Sequence, residues 1–285
     1  NLRTRHRIIK SMRDFFDERG FTEIETPMFI KSTPEGARDY LVPSRPVPGS
    51  FYALPQSPQL LKQICMIGGI GKYMQIARCM RDEDLRADRQ PEFTQVDVEM
   101  SFCTQEDVME TMESSVRDVW RRVLGVELPP FPRLTHAQSL EKYGVDKPDL
   151  RFGLELSVAN AVFASTEFGV FKNAPCVRYI VVPRTFSRSE QTRLEELAKE
   201  WGAKGLANLT QVTKFLSEQE LAAFGVEEGS TALFVADEEP VVARVLGLLR
   251  PHLAREVDLI EAGLDVFHWV LDFQLVESDE DSGGW

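Results

Sequence analysis

The sequence predicts an α+β protein: an antiparallel sheet flanked by helices, followed by a separate α/β module. Two observations predict the first part. Residues 73–83 and 93–102 show strand-like alternation one after the other, and segments with helical periodicity flank them. A third observation predicts the second part, because short apolar strands alternate with capped helices over residues 152–264. Residues 265–285 are predicted to return to the first part.

Composition limits the classes of protein to consider. The 285 residues include 33 basic and 45 acidic side chains, and 43% are apolar, which is ordinary for a folded domain. No apolar run approaches the ~18 residues of a membrane span, so we predict no membrane partner. Four cysteines without a C-x-x-C pair argue against a zinc site or a disulfide framework and favour a reducing, cytoplasmic location.

The charge is unevenly distributed along the chain. Residues 1–150 carry 21 basic and 23 acidic side chains, whereas residues 151–285 carry 12 and 22. The net charge of −12 therefore excludes a polyanion-binding surface over the whole protein, but the first part is nearly balanced. This asymmetry predicts two modules with different partners.

The first part of the chain contains sequence signals for the starts and ends of several helices. Apolar residues at helical spacing predict a first helix that ends near Gly20, and Pro27 ends the extended segment after it. Ser57-Pro58 predicts the start of a helix that carries Lys62. Thr104 with Asp107 predicts a capping box at the start of the next helix.

The strand over residues 93–102 has one apolar and one polar face. By alternation, Gln95, Asp97 and Glu99 share the polar face, and the neighbouring strand contributes Arg81 and Glu83. A surface with both signs of charge suits a zwitterion or a nucleotide. A solvated strand face with cross-strand ion pairs explains the same pattern equally well. For Arg86 and Arg89, in the connecting segment, the sequence alone favours an exposed hairpin tip.

The second part is predicted from strands and capped helices. Serines at 187 and 217, each followed three residues later by Glu, predict two helix starts. Predicted strands cover residues 177–182, 206–209, 232–236 and 267–276, and a last helix covers about residues 240–253.

Several segments resemble the class II aminoacyl-tRNA synthetases in their bacterial aspartyl form. Phe21-Thr-Glu-Ile-Glu-Thr-Pro27 is similar to motif 1, and the block from Arg81 to Glu99 is similar to motif 2. Three flanking segments resemble the same subgroup: residues 32–39, 54–62 and 143–151. The acidic module resembles, in placement and style, the inserted GAD domain of the bacterial enzymes.

The resemblance implies an aspartate–tRNA ligase of protein biosynthesis. Such enzymes use ATP to convert L-aspartate to aspartyl-adenylate and pass the aspartyl group to tRNA(Asp), with tRNA(Asn) left open as a second substrate. It implies that Arg81 is catalytic, clamping the α-phosphate and the α-carboxylate, and that Lys62 pairs with the side-chain carboxylate of aspartate. The implied aspartate site is Glu35, Ser57, Gln59, Lys62, Arg81, Gln95 and Asp97, of which Asp97, Ser57, Gln59 and Glu35 receive the ammonium group. The implied ATP residues are Arg81, Asp82, Glu83 and Gln90, and the implied contacts to the acceptor end of tRNA are Arg86 and Arg89.

Partners and cofactors follow from the same resemblance. ATP is a substrate and Mg²⁺ is expected, with the metal carboxylates and motif 3 expected after Trp285 and no metal ligand within residues 1–285. Residues 3–31 would lie at a homodimer interface. Because motif 3 is not among them, residues 1–285 alone are predicted to be inactive.

Two alternatives remain in view. A non-catalytic synthetase paralogue would keep the fold as a tRNA-binding or dimerisation module, but the charges of Arg81, Glu83, Lys62 and Asp97 argue against a decayed site. An asparaginyl or lysyl enzyme is disfavoured by Asp97 together with Lys62 and by Asp88-Arg-Gln-Pro91.

Overall fold

Two compact units make up the chain. The computed structural model describes residues 1–33, 35–84, 89–164, 166 and 168–276. The first unit ends at Pro130 and the second begins at Phe131. This boundary differs from the predicted one at residue 151, and the division into residues 1–151, 152–264 and 265–285 remains a prediction. Within the described ranges, no helix is both long and apolar enough to cross a membrane.

Helices and a small sheet form the described part of the first unit. In chain order its elements are α1 (Leu2–Asp17), β1 (Thr22–Glu23), β2 (Leu41–Pro43), β3 (Phe51–Ala53), α2 (Gln59–Ile67), β4 (Lys72–Met80), β5 (Glu92–Met100) and α3 (Gln105–Val119). The sheet order is β1-β4-β5, with β1 parallel to β4 and β4 antiparallel to β5. β2 and β3 form a separate antiparallel pair. α3 continues into a π-helical turn, Trp120–Leu124, which ends at Gly125 with φ of 70°.

Both predicted central strands are shorter in the structure. β4 ends at Met80, so Arg81 and Glu83 lie beyond the regular strand, although the Arg81 amide still donates to the Pro91 carbonyl at 2.9 Å. β5 ends at Met100 rather than at Phe102. Phe102 adopts φ of 55°, which takes the chain out of the extended conformation just before Thr104 begins the capping box of α3.

The apolar face of the central hairpin packs against helices. Phe15, Phe16, Phe21 and Met74 form the buried centre of this core, and β5 contributes Val96, Val98 and Met100. The predicted apolar face of residues 93–102 is thus confirmed for Val96, Val98 and Met100. Because side chains alternate along a strand, Gln95, Asp97 and Glu99 point to the opposite face.

A four-stranded sheet organises the second unit. Its elements are β6 (Arg133–Thr135), α4 (His136–Tyr143), β7 (Ser157–Val158), α5 (Asn160–Phe163), α6 (Gly169–Lys172), β8 (Cys176–Val182), α7 (Arg188–Glu200), β9 (Ala207–Asn208), α8 (Leu209–Val212), α9 (Glu218–Ala222), β10 (Thr231–Asp237), α10 (Glu239–Glu256) and β11 (Trp269–Leu271). The sheet order is β7-β8-β10-β9, and all three strand pairs are antiparallel. β6 pairs with β11 in parallel.

This antiparallel order corrects one prediction. Alternating strands and helices predicted an α/β module, which implies parallel strands joined by crossover helices. The strands pair antiparallel instead, so the sheet is of the α+β type. The capping boxes at Ser187 and Ser217 are confirmed, whereas the predicted strand over residues 267–276 is limited to β11.

Candidate active site

The polar face of the central hairpin carries the candidate site. The register pairs Ala77 with Gln95, Gln75 with Asp97, and Tyr73 with Glu99. Directly opposite residues in an antiparallel pair have side chains on the same face, so the polar residues of β4 and β5 face one another. α2 contributes Lys62 to this face, and Lys62 is the buried residue of that helix.

Lys62 lies between two carboxylates. Its Nζ is 3.0 Å from Asp97 Oδ1 and 3.0 Å from Glu99 Oε2, and the Lys62 side chain is only 9% exposed. Burial alone lowers the pKa of Lys62, but hydrogen bonds and charge from Asp97 and Glu99 together raise it above its usual value. Asp97 Oδ2 is buried and has no hydrogen-bond partner among the described residues. This arrangement fixes a cation and leaves one acceptor available to a bound positive group.

Arg81 lies at the end of the same face. Its Nε donates to the main-chain carbonyl of Gln56 at 3.4 Å, and its guanidinium is 5.1 Å from the centroid of the Phe93 ring. These contacts orient the planar group, whose donors suit bidentate binding of a carboxylate or a phosphate.

Glu35, Ser57 and Gln59 form a neighbouring group. Glu35 accepts hydrogen bonds from the hydroxyls of Thr33, at 2.9 Å, and Ser57, at 2.8 Å. The main-chain amide of Gln59 donates to Ser57 Oγ at 3.2 Å, and Gln59 is exposed at the start of α2. The segment between β1 and β2 therefore brings one more carboxylate, Glu35, to Ser57 at the start of α2.

Residues after β4 form a second charged group. Arg89 donates to Glu83 Oε2 at 3.2 Å, and Asp82 Oδ2 is 3.4 Å from Arg38 Nε. Gln90 is exposed. Arg86 lies outside the described residues.

Gln95 contacts a buried thiol. Cys79 Sγ donates to Gln95 Oε1 at 3.2 Å, and burial together with the charges of Asp97 and Glu35 raises the pKa of Cys79 to about 11 despite the nearby Arg81. The thiol is therefore neutral at physiological pH and serves as a donor.

For several residues of the site, the sequence predicted no role in binding or catalysis. Gln56 is 2% exposed and binds the main chain of Ala37 through both ends of its amide, at 2.8 and 3.1 Å. Nothing in the sequence pattern indicated Gln56. Glu99, Tyr73 and Gln75 were detectable, because the same alternation that selected Asp97 and Arg81 includes them.

A sequence profile described as tRNA synthetases class II (D, K and N) matches residues 1–279. The chain belongs to this family of class II tRNA synthetases. Its helices and mainly antiparallel sheets are consistent with a class II synthetase domain.

Similar proteins of this class II synthetase family are named aspartate–tRNA ligases. It is 51% identical to an aspartate–tRNA(Asp/Asn) ligase of Natranaerobius thermophilus, covering 99% of the chain and 52% of the relative. It is 52% identical to the ligase of the same name in Symbiobacterium thermophilum, covering 99% and 51%. An aspartate–tRNA ligase of Geobacillus kaustophilus is 50% identical, covering 99% and 51%. The chain thus spans about half the length of these curated relatives.

The described residues include few groups of potential metal ligands. Within them, no group of three or more His, Cys, Asp or Glu side chains could hold a metal ion. Asp97 and Glu99 already share Lys62, so this pair is occupied by a cation of the protein itself.

Proposed function

We propose that the protein containing this chain is an aspartate–tRNA ligase, activating L-aspartate with ATP and transferring it to tRNA(Asp). The observation that carries the proposal is Lys62 held at 3.0 Å by Asp97 and Glu99 on the face that ends at Arg81. A site with one fixed cation, one free acidic oxygen and one arginine matches the three charged groups of aspartate. The names of the relatives support this substrate.

Each of the three charged groups of aspartate would bind to different residues of the site. The side-chain carboxylate pairs with Lys62, the ammonium group with Asp97 and Glu35, and the α-carboxylate with Arg81 and Gln95. Neutral asparagine would bring no negative charge to Lys62, so the charge-assisted contact that selects aspartate would be missing, although Asp97 and Glu99 still pair with the lysine.

Activation requires the α-carboxylate to approach the α-phosphate of ATP. Arg81 binds both groups and neutralises charge as the new C–O–P bond forms and pyrophosphate leaves. Asp82, Glu83 and Gln90 would help to hold ATP. This step needs no general base, because the attacking carboxylate is already ionised.

The first experiment measures aspartate-dependent exchange of pyrophosphate into ATP by the full-length gene product. We expect exchange in the wild type and its loss in Lys62→Met. The matched control is Lys142→Met, which removes an exposed lysine of the second unit. Full exchange in Lys62→Met would contradict the assignment of Lys62, and absence of exchange in the wild type would favour a tRNA-binding paralogue.

A second variant tests Arg81. Loss of one electrostatic contact to a developing charge typically costs on the order of 10²–10³ in rate. We therefore expect Arg81→Gln to lower the rate of pyrophosphate exchange by about that factor at saturating aspartate. A change confined to the KM for ATP would assign Arg81 to binding alone.

Contacts to tRNA are proposed for Arg86 and Arg89. Arg89 is paired with Glu83, and binding of ATP by Glu83 would release Arg89 for phosphate or base edges. We expect Arg89→Ala to raise the KM for tRNA in aminoacylation while leaving pyrophosphate exchange unchanged. Equal effects on both reactions would contradict this role.

Other features of the proposal concern the whole protein. We propose a cytoplasmic homodimer that uses Mg²⁺ with ATP, associates with no membrane, and carries a GAD-type insertion within the second unit. The position of β1 at an edge of the sheet supports pairing with a second copy, because an edge strand offers unpaired main-chain groups. Light scattering on the full-length protein tests the dimer, and a monomeric mass at micromolar concentration would contradict it.

A further inference from the structure

A buried glutamine holds the segment that carries Glu35. Gln56 is 2% exposed, and its Nε2 donates to the main-chain carbonyl of Ala37 at 2.8 Å and to Asp39 Oδ1 at 2.6 Å. Its Oε1 accepts a hydrogen bond from the main-chain amide of Ala37 at 3.1 Å. Both amide hydrogens and the carbonyl oxygen of this side chain are therefore used. A flipped amide would place donor against donor, so the contacts fix one orientation.

The contacts of Gln56 continue the pairing of β2 with β3. Beyond the two strands, the main-chain amide of Leu54 donates to the carbonyl of Tyr40 at 2.9 Å. Gln56 then offers Ala37, from its side chain, the donor and the acceptor that a strand residue offers from its main chain. The chain from Ala37 to Tyr40 is thus fixed along the chain from Leu54 to Gln56.

Asp39 ties a second point of the segment to Gln56. Its Oδ1 accepts the hydrogen bond from Gln56, and its Oδ2 accepts one from the hydroxyl of Ser32. Glu35 lies between Ser32 and Asp39 in the chain, and it accepts a hydrogen bond from the Ser57 hydroxyl at 2.8 Å. The position of the Glu35 carboxylate at the start of α2 therefore depends on contacts that converge on Gln56.

We propose that Gln56 is a positioning residue for Glu35: its side-chain amide holds the segment so that the Glu35 carboxylate meets the ammonium group of the substrate amino acid. Gln56 acts through Glu35 and not by touching the substrate. Holding the segment before binding removes the free-energy cost of ordering it when aspartate binds. The inference rests on the proposed function and deepens it, because it names the side chain that determines where Glu35 lies.

The test uses Gln56→Met in the full-length gene product, with pyrophosphate exchange as the readout. Methionine keeps the length of the side chain but has no amide, and the Gln56 carbonyl that accepts from Arg81 stays in the main chain. A hydrogen bond to a charged group strengthens binding by about 10- to 100-fold. Misplacing Glu35 loses part of that contact, so we expect the KM for aspartate to rise about 10-fold and the KM for ATP to stay unchanged.

The matched control is Gln191→Met in the second unit. Gln191 is a half-buried glutamine whose amide also binds main chain, donating to the Phe186 carbonyl at 2.9 Å. It has no part in the candidate site. We expect a wild-type KM for aspartate in this variant.

Succinate separates recognition of the ammonium group from a general loss of structure. It has both carboxylates of aspartate but no ammonium group, so its inhibition constant against aspartate should be the same in wild type and Gln56→Met. Equal weakening of aspartate and succinate would overturn the inference. An unchanged KM for aspartate in active Gln56→Met would also overturn it and leave the proposed function intact, whereas absence of exchange in the wild type would overturn the proposed function itself.

A double-mutant cycle shows whether Gln56 acts through Glu35. Glu35→Gln removes the charge that binds the ammonium group and should raise the KM for aspartate by about 10- to 100-fold. Adding Gln56→Met to that variant should raise the KM little further, because the carboxylate to be positioned is already absent. Full multiplication of the two effects would show that Gln56 acts independently and would overturn the inference.

Asp39 provides a second test if Gln56→Met does not fold. Asp39→Ala removes the acceptor of Gln56 and of Ser32, so we expect a higher KM for aspartate and an unchanged inhibition constant for succinate. Asp39→Asn keeps an acceptor for Gln56 and offers an amide donor to the Ser32 oxygen, so it should show the wild-type KM. A wild-type KM in Asp39→Ala, or equal losses in both variants, would overturn the inference.

Discussion

Lys62 Nζ donates to Asp97 Oδ1 at 3.0 Å and thereby joins α2 to β5. Helix and strand are distant in sequence, and the contact is made by a buried cation rather than by apolar packing. Two carboxylates surround Lys62, so removing the lysine leaves their negative charges close together. A buried ion pair such as Lys62 with Asp97 is weak evidence for stability. Removing one partner is nevertheless costly, because the other charge stays buried without its partner.

Alkaline pH tests the charge of Lys62. Asp97 and Glu99 raise the pKa of Lys62 above 10.5, the usual value for a lysine, even though burial lowers it. A raised folded-state pKa stabilises the protein fully below the unfolded-state pKa, and this contribution is lost as pH rises through the folded-state value. We expect the difference in free energy of unfolding between wild type and Lys62→Met, measured in urea, to be constant from about pH 7 to 10 and to shrink above 10.5. A constant difference across the alkaline range would contradict the assignment.

A buried arginine makes a second testable contribution. Arg250 of α10 is 1% exposed and donates to the carbonyls of Leu154 and Gly153 at 2.8 and 2.9 Å. Its guanidinium is 4.5 Å from the centroid of the Tyr143 ring. Each carbonyl left without a donor costs about 1–3 kcal/mol. We expect Arg250→Leu to lower the free energy of unfolding by about 3 kcal/mol.

The control for this prediction lies on the same helix. Arg255 is exposed, and Arg255→Leu should change the free energy of unfolding by less than about 0.5 kcal/mol. Urea unfolding monitored by circular dichroism measures both variants. Equal effects would show that Arg250 acts only through helix propensity or charge.

A glycine in α10 permits close packing. A Cβ added at Gly247 would lie 2.8 Å from Val145 Cγ1 and 2.9 Å from the carbonyl oxygen of Gly144. Alanine would improve helix propensity by about 1 kcal/mol, but overpacking against main chain costs about 1–3 kcal/mol or more. We expect Gly247→Ala to lower the melting temperature, with Gly153→Ala as the control, because a Cβ there meets no atom within 4 Å. A higher melting temperature for Gly247→Ala would show that the helices can separate at little cost.

Local signals predicted most of the fold but few side-chain partners. The capping boxes at Thr104 and Ser187 were predictable because they depend on residues three apart. The antiparallel order of β8, β10 and β9 was not, since strand and helix patterns do not specify which strands pair. The ends of β4 and β5 were misplaced because the polar residues continue the alternation after the pairing stops.

In the candidate site, too, local sequence features were predictable and tertiary contacts were not. Alternation placed Gln95 and Asp97 on one face because that depends only on the period of a strand. The contacts of Gln56 with Ala37 and of Lys62 with Glu99 bring distant segments together, and they depend on tertiary packing. Sequence reasoning therefore placed residues on a common face but did not predict the contacts that Gln56 and Lys62 make across distant segments.

Acid pH tests the capping box of α3. Asp107 Oδ2 accepts hydrogen bonds from the main-chain amide and the hydroxyl of Thr104, both at 2.7 Å, and these bonds hold the pKa of Asp107 below 3.8, its usual value. A lowered folded-state pKa stabilises the protein above the unfolded-state value, and the contribution is lost as pH falls through the folded-state value.

We expect Asp107→Asn to lower the melting temperature by a few degrees at neutral pH, because Asn lacks the charge that favours a helix N-terminus. The difference should begin to shrink as pH falls below 3.8 and should disappear below the lowered folded-state pKa, where wild-type Asp107 is protonated and resembles the neutral variant. Glu110→Gln, which neutralises an exposed carboxylate of α3 away from the cap, should show no such pH dependence; a parallel response of both variants would assign the effect to net charge rather than to the cap.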